Sequence, residues 1–403
     1  MSTPLRLVVW ELTLACDLAC EHCGSRAGPR REAELSTEEA LGVVDQLAEM
    51  GAKEVALIGG EAYLREDWHV IAKAIRERGM LPSMVSGGRG ITKERAELAA
   101  RAGVGSVSLS IDGLAEVHDV QRGVRGSFDA ALQAMRNLKQ AGVPFSANSQ
   151  INRLSFADLD AMLDLFLELG CHGWQIAMTV PMGRAAERAD WLLQPDDLLL
   201  VFPKLAQLAE RGRQGGLRLF PGNNVGYFGP HEDALRGHLS PEAEGSYYQG
   251  CHAGVSSLGL EADGAVKGCP SLPTGAYTGG NVRSAPLREI WDHSTELAFA
   301  RRPRDEELWG FCKGCYYASV CKAGCSWTAH VFFGKRGNNP YCHHRALVHD
   351  ERGEREVLTL AEPGPGEPFD HGRWDVTVEP ARSERGFARP ALAAPKRKLR
   401  VVS

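Results

Sequence analysis

Residues 10–23 read WELTLACDLACEHC, the end of an apolar strand running into a loop that carries Cys16, Cys20 and Cys23 with three and then two residues between them. The strand reading covers LVVWELT, residues 7–13, so the thiols sit on a loop at the strand's C-terminal end. Three thiolates that close together hold three corners of a cubane [4Fe–4S] cluster and leave its fourth iron without a protein ligand. A zinc knuckle with His22 as fourth ligand is the competing reading, although its neighbour Cys23 makes simultaneous tetrahedral binding awkward.

Outward from this loop, short apolar runs alternate with amphipathic stretches as far as about residue 220, the pattern of βα units around a parallel sheet. Strands are expected at 7–13, 54–59, 83–87, 106–112, 145–151 and 173–178. The first helix is signed by a capping box, Ser36 with Glu39, and by a stop at Gly51. Later helices are expected near 66–79, 93–102, 127–141, 155–169 and 195–212. Six such units fit an α/β partial barrel, yet periodicity alone does not separate a barrel from an open doubly wound sheet. The domain reading is a barrel over 1–220, a bridging segment over 221–250, a cysteine-rich domain over 251–350 and a C-terminal extension over 351–403. The Pro, Gly and Arg content of that extension predicts weak order.

The chain has 403 residues, 43% hydrophobic and 24% charged, and a net charge of -5 with both signs interspersed, which favours neither nucleic acid nor an anionic membrane surface as partner. No basic-then-apolar segment opens it, and no run approaches the roughly 18 apolar residues of a membrane span. A cytoplasmic enzyme is expected. Eleven cysteines are the anomaly, because reduced thiols in such number in an intracellular chain point to metal rather than to disulfides. Cys171 stands alone and reads as a small buried apolar residue.

The cysteine run resembles the signature of radical S-adenosylmethionine (SAM) enzymes, whose three-cysteine loop follows the first strand of a partial (β/α)6, TIM-like barrel. The resemblance implies that the open iron chelates SAM. One electron then cleaves SAM to methionine and a 5′-deoxyadenosyl radical, which takes a hydrogen atom from the substrate. Supporting motifs recur along the chain. Gly59-Gly60-Glu61 after the second strand is similar to the family's turn at the SAM ammonium, where glycine permits close backbone approach. SLSIDG with HDVQRG resembles the family's polar segment, which implicates Ser110 and Arg122 in ribose and carboxylate contacts. Asn148, Ser149, and the backbone from Val180 through Met182 to Gly183 are further candidates for ribose and adenine.

Seven more cysteines, Cys251, Cys269, Cys312, Cys315, Cys321, Cys325 and Cys342, with Gly264 between the first two, resemble the SPASM domain of radical SAM peptide maturases. Paired zinc sites are the alternative. The resemblance implies two auxiliary [4Fe–4S] clusters, hence three in all with the SAM cluster. Cys312, Cys315, Cys321 and Cys342 would complete one. Cys251, Cys269 and Cys325 would hold the other, short of a fourth cysteine. Trp291, Trp309, Tyr316, Tyr317 and Trp327 read as packing around the clusters.

The resemblance implies hydrogen abstraction from a ribosomally made precursor peptide, ending in a crosslink, thioether, epimer or excision. No domain precedes the first strand, so a separate leader-recognition protein, or residues 221–250, is expected to bind the leader. A flavodoxin or ferredoxin is the expected reductant. Cys269 is followed by Pro270 and Ser271 rather than an acidic residue, which argues against carbinol-to-aldehyde oxidation. The second reading is a tetrapyrrole tailoring enzyme, because VVWELTLAC and LREIW also resemble radical SAM enzymes of heme synthesis; against it, KAGCSWTAH lacks an arginine-rich continuation. A third is a non-enzymatic iron–sulfur electron carrier or scaffold.

Overall fold

The computed structural model describes residues 5–237, 247–248, 250–301 and 305–392. In chain order the elements are β1 (Leu7–Thr13), α1 (Thr37–Glu49), β2 (Glu54–Gly59), α2 (Trp68–Glu77), β3 (Leu81–Ser86), α3 (Lys93–Arg101), β4 (Ser106–Ser110), α4 (Ala115–Arg122), α5 (Ser127–Gln140), β5 (Phe145–Ile151), α6 (Leu159–Leu169), β6 (Gly173–Met178), α7 (Leu198–Gln214) and β7 (Arg218–Pro221). Then follow α8 (Glu232–Arg236), β8 (Ser257–Leu260), β9 (Ala265–Lys267), α9 (Thr274–Tyr277), β10 (Thr278–Asn281), α10 (Leu287–His293), α11 (Ala318–Cys321), α12 (Ser326–Phe333), α13 (His343–Glu351), β11 (Glu354–Glu362) and β12 (Arg373–Pro380).

Strands β1 to β7 pair in sequence order, all parallel, as the helical crossovers between them require. This is the partial barrel, closed further than the six strands read from the sequence by β7. The ends of β1, β2, β5 and β6 fall where the sequence reading puts them. The Ser36 box caps α1, with Ser36 Oγ accepting from the Glu39 amide and Glu39 accepting from the Ser36 amide. The first edge of the barrel is not bare: β8 lies parallel to β1 in register from Leu7 opposite Ser257 to Trp10 opposite Leu260. β9 and β10 follow antiparallel, so barrel and cysteine-rich domain share one sheet.

The two faces of the barrel strands differ in kind. Val8, Trp10 and Leu12 of β1, Val55 and Leu57 of β2, and Trp174, Ile176 and Met178 of β6 are buried in the apolar layer under the helices. Many of the alternate positions that face inward are polar: Glu11, Ser106, Ser108, Ser146, Asn148, Gln150 and Gln175 line a cavity together with the apolar Val9, Ile58 and Val85. Barrels of this general type fill their interior with branched apolar side chains; this one is left hollow.

The C-terminal extension departs from the expected weak order. β11 and β12 form an antiparallel hairpin over 354–380, and Leu358 and Trp374 join the main core, the indole edge-on to Phe332 at 5.8 Å. The Pro and Gly residues of 363–366 lie in the connector of this hairpin, and the strand after it, RWDVTVEP, alternates apolar and polar residues. Further on, Phe387 packs on Phe156 at 5.1 Å and Arg389 pairs with Asp158. In the bridging segment, 238–246 and 249 lie outside the described residues; the described part holds α8 and Tyr227. Cys171 is buried, as expected.

Candidate active site

The Cys16–Cys23 loop is tied down mainly by backbone contacts. Thr13 Oγ1 and the Leu14 amide both donate to Glu34 Oε1 (2.8 and 3.0 Å), and the Cys16 amide donates to the Gly28 carbonyl at 2.9 Å. The turn after β2 presses against the underside: the Gly60 amide donates to the Thr13 carbonyl (2.9 Å) and the Glu61 amide to the Ala15 carbonyl (2.7 Å). A Cβ on Gly59 would collide with the Thr13 carbonyl oxygen, and one on Gly60 with that of Ala15. Both glycines are therefore needed for the loop to dock at all.

Cys16, Cys20 and Cys23 are free thiols gathered on Leu18 and Val124. The Leu18 amide donates to Cys16 Sγ at 3.4 Å and Arg122 Nη1 to Cys20 Sγ at 3.7 Å. Burial pushes the Cys20 thiol up to about 11, against the pull of Arg122 and with the neighbouring Cys23 adding to the rise. Crowded buried thiols resist becoming thiolates unless a metal takes the charge, which is the donor chemistry an iron–sulfur cluster satisfies. Zinc with His22 fits worse. His22 Nε2 sits 3.3 Å from Asp112 Oδ2 and is turned to that carboxylate.

Glu61 lies directly below, its ligand atom within 4.8 Å of those of Cys16 and Asp17. Its two oxygens accept from Ser86 Oγ and the Gly87 amide, both at 2.6 Å, and burial pushes its carboxyl up to about 8.

Beneath the loop lies the cavity, about 660 Å³, roofed by His22, Gly24 and Ser25 and walled by the inward strand positions. Its far wall comes from other parts of the chain: Glu261, Pro270, Ser271 and Trp327 of the cysteine-rich domain, and Phe369 of the C-terminal hairpin connector. Trp327 Nε1 lies 2.8 Å from Met182 Sδ, and the Phe369 amide donates to the Gly24 carbonyl at 2.9 Å. The acidic residues on the lining are Glu11, Glu54 and Glu261; no lysine or arginine is among the described lining residues. Behind the wall, Arg31 pairs with Glu11 at 2.9 Å and the fully buried Lys267 with Glu261 at 2.7 Å.

The remaining cysteines fall into two groups. Cys312, Cys315, Cys321 and Cys342 line one small hollow with Tyr317, Asn339 and His344. Cys251, Cys269 and Cys325 act on one another electrically: burial first, then Cys251 and Cys325, push Cys269 up to about 12. Gly264, with φ +89°, turns the chain between β8 and β9. Trp309 stands edge-on to Phe333 and Tyr317 stacks on Phe228, whereas Tyr316 is 88% exposed and touches the Cys312 hollow only edge-on through Tyr317, at 5.1 Å, less buried than expected.

Comparison with known proteins decides the family. Residues 10–181 match the radical SAM superfamily, and 251–316 match an iron–sulfur cluster-binding domain, SPASM. An AdoMet-dependent heme synthase of Methanosarcina barkeri is 31% identical over 353 residues, 86% of this chain and 98% of that protein. The chain belongs to the radical SAM superfamily. Mycofactocin maturase MftC of Mycolicibacterium smegmatis is also 31% identical, over 83% of this chain and 82% of its own length. Among solved structures, anSMEcpe with bound AdoMet shares the fold with TM-score 0.68 at 18% identity, covering 86% of this chain and 96% of that one. The protein is thus a radical SAM enzyme with a C-terminal SPASM domain, and SAM and iron–sulfur clusters are its cofactors.

For a radical SAM site, the structure sorts the residues singled out in the sequence. Gly59, Asn148, Val180 and Met182 line the cavity under the cysteine loop. Ser110 ends β4 on the same inward register as Ser106 and Ser108. Ser149 does not line the cavity: it donates to the Ile111 carbonyl and accepts from Trp174 Nε1 at 2.8 Å, on the helix side of β5. Adjacent strand residues point to opposite faces, so Asn148 and Ser149 exclude one another. Arg122 is also engaged elsewhere, with Asp112 at 2.6 Å and with Cys20, so its fork braces the loop instead of lying open to a carboxylate. Sequence reasoning missed Glu11, Gln150, Glu261, Trp327 and Phe369. Inward alternation on β1 and β5 signals the first two; the others come from sites far along the chain with no local signature.

Proposed function

We propose that this radical SAM enzyme modifies a ribosomally made precursor peptide, with one SAM-binding [4Fe–4S] cluster on Cys16, Cys20 and Cys23 and two auxiliary clusters in the SPASM domain. Cys312, Cys315, Cys321 and Cys342 hold one of these, and Cys251, Cys269 and Cys325 the other. The carrying observation is the cavity wall. It offers serines, amides and three carboxylates, Glu11, Glu54 and Glu261, and no lysine or arginine among the described residues. Glu11 and Glu261 are already paired with Arg31 and Lys267 behind the wall, so a substrate bearing several carboxylates finds no lysine or arginine on the described lining to pair with, whereas a peptide segment finds donors and acceptors for its backbone. When bound, SAM and its cluster supply one-electron abstraction of a hydrogen atom.

The chain's own residues hold and shield. Gly59, Gly60 and Glu61 shape the rim of the SAM site, while Ser110, Asn148, Val180 and Met182 offer its polar and apolar contacts. Trp327 and Phe369 cover the cavity and keep water from the substrate. A separate leader-recognition protein and a flavodoxin- or ferredoxin-type reductant complete the scheme. The free thiols suit the reducing cytoplasm, and no helix among the described residues is long and apolar enough to cross a membrane.

A tetrapyrrole substrate is the second reading, favoured by the heme synthase relative that this chain matches over 98% of its length. Anaerobic incubation with SAM, reductant and either a short peptide encoded beside the gene or an iron–coproporphyrin separates the two. The peptide reading expects SAM-dependent mass loss or rearrangement in the peptide alone. Turnover of the porphyrin with the peptide untouched overturns it.

A further inference from the structure

The SPASM half leaves one of its ligand sets incomplete. Four thiols surround the Cys312 hollow, but only Cys251, Cys269 and Cys325 stand at the other site. Ser257 is occupied, its hydroxyl donating to the His252 carbonyl at 3.0 Å.

Two tyrosines flank the site, and they differ. Tyr227 is saturated: its hydroxyl accepts from the Cys325 amide and donates to the Asn223 carbonyl, both at 2.9 Å. The Tyr248 ring leans against it, tilted by 53° with ring centroids 4.3 Å apart, and is only 4% exposed, yet among the described residues its hydroxyl has no hydrogen-bond partner. A buried hydroxyl without a partner is costly, and a native structure normally supplies one. Its electrostatic neighbours besides Tyr227 are the thiols of Cys251, Cys325 and Cys321. The side chain is also held where it is. The Tyr248 amide donates to Glu232 Oε1 at 2.8 Å, Glu232 Oε2 pairs with Arg236 at 2.6 Å, and the Arg236 guanidinium stands 5.7 Å from the Tyr248 ring centroid.

We propose that the phenol oxygen of Tyr248 closes the iron–sulfur site of Cys251, Cys269 and Cys325 as its fourth ligand. The inference rests on the proposal that these three cysteines hold a cluster. Tyrosinate is an established iron ligand in proteins. Ligation replaces a water on the open iron, and the phenol proton leaves to solvent with it; no electron is transferred. A site closed in this way has no vacant iron for a substrate thiolate, so it acts on electrons and not as a substrate ligand.

Resonance Raman spectroscopy of the anaerobically reconstituted full-length protein tests this. Tyrosinate ring bands enhanced through the iron chromophore are expected, shifting when the protein is grown on ring-deuterated tyrosine. The bands vanish in Tyr248→Phe and persist in Tyr227→Phe. Tyr248→Cys, which offers a thiolate in place of the phenolate, keeps the full iron content and loses the bands. Wild-type spectra with no isotope-shifted bands, or bands that survive in Tyr248→Phe, overturn the assignment without reference to any variant's stability or substrate. Iron analysis of Cys269→Ala separates the two levels of the claim. Loss of one cluster's iron supports a loaded site, and iron equal to wild type overturns the site together with its ligand.

Discussion

Cys16, Cys20 and Cys23 lie within residues 16–23, whereas the seven SPASM cysteines are spread from Cys251 to Cys342, and the surroundings that hold them differ accordingly. The first loop is fixed by hydrogen bonds to the Gly28 carbonyl, the β2 turn and the Glu34 carboxylate, all within a barrel that supplies most of the main apolar core. The SPASM thiols sit on helices of four to nine residues and on loops, among small separate apolar groups around Tyr227, Leu272 and Leu308. Helices that short have little stability of their own. The loop of Cys16 to Cys23 is therefore held by the protein itself, while around the SPASM thiols bound metal is expected to supply more of the order.

The largest expected effect separates the two regions outright. Cys20→Ala should abolish SAM cleavage while leaving the auxiliary iron and the fold intact; Cys321→Ala should lose iron and sharply raise hydrogen exchange over 305–350. Equal exchange in both variants would break the contrast. Trp374→Ala, which unpins the C-terminal hairpin from Phe332, should cost about 3–5 kcal/mol in denaturant unfolding. Its exchange increase should appear in α12 and α13 and not in β1 to β5. Gly60→Ala strikes the barrel side alone. Its Cβ meets the Ala15 carbonyl, so a loss of about 2–4 kcal/mol is expected, with iron missing from the N-terminal site only.

A smaller effect concerns acid, and one group from each region reports it. Burial lowers His118 of the barrel to about 3 and His330 of α12 to about 4, both below the ordinary 6.5. The unfolded chain then binds more protons than the folded one, so this stability is complete above about pH 6.5 and falls away as pH drops toward 4. Denaturation midpoints measured from pH 7.5 to 4.5 should decline, and less steeply in His118→Gln. Ser36→Ala, which removes the box on α1, should cost about 1 kcal/mol and leave both cysteine regions untouched.

How far the sequence could be read follows from the same contrast. Long parallel strands buried on the helix side announce themselves, which is why β1, β2, β5 and β6 and the capped α1 are legible to the residue. β7 to β10 have three or four residues each, too few for any period to register, and α4 is hidden in the polar segment that the family resemblance had already claimed. The cysteines are legible because ligand spacing is a local property. Arg122 and Ser149 mislead because their partners, Asp112 with Cys20 and Ile111 with Trp174, are set by tertiary packing. Phe369, Trp327 and Glu261 reach the cavity from distant segments, and nothing near them in sequence marks that destination.

The shared sheet makes the enzyme hard to divide. β1 leads into the loop of Cys16, Cys20 and Cys23 at one end and gives its flank to β8. Cutting the chain after residue 237 would uncover a row of unpaired amides and carbonyls on the strand that matters most, a template for another copy of itself. Attempts to prepare the barrel alone should yield aggregates rather than a smaller enzyme, and exchange of SPASM modules between relatives should succeed only when the donor brings its own β8.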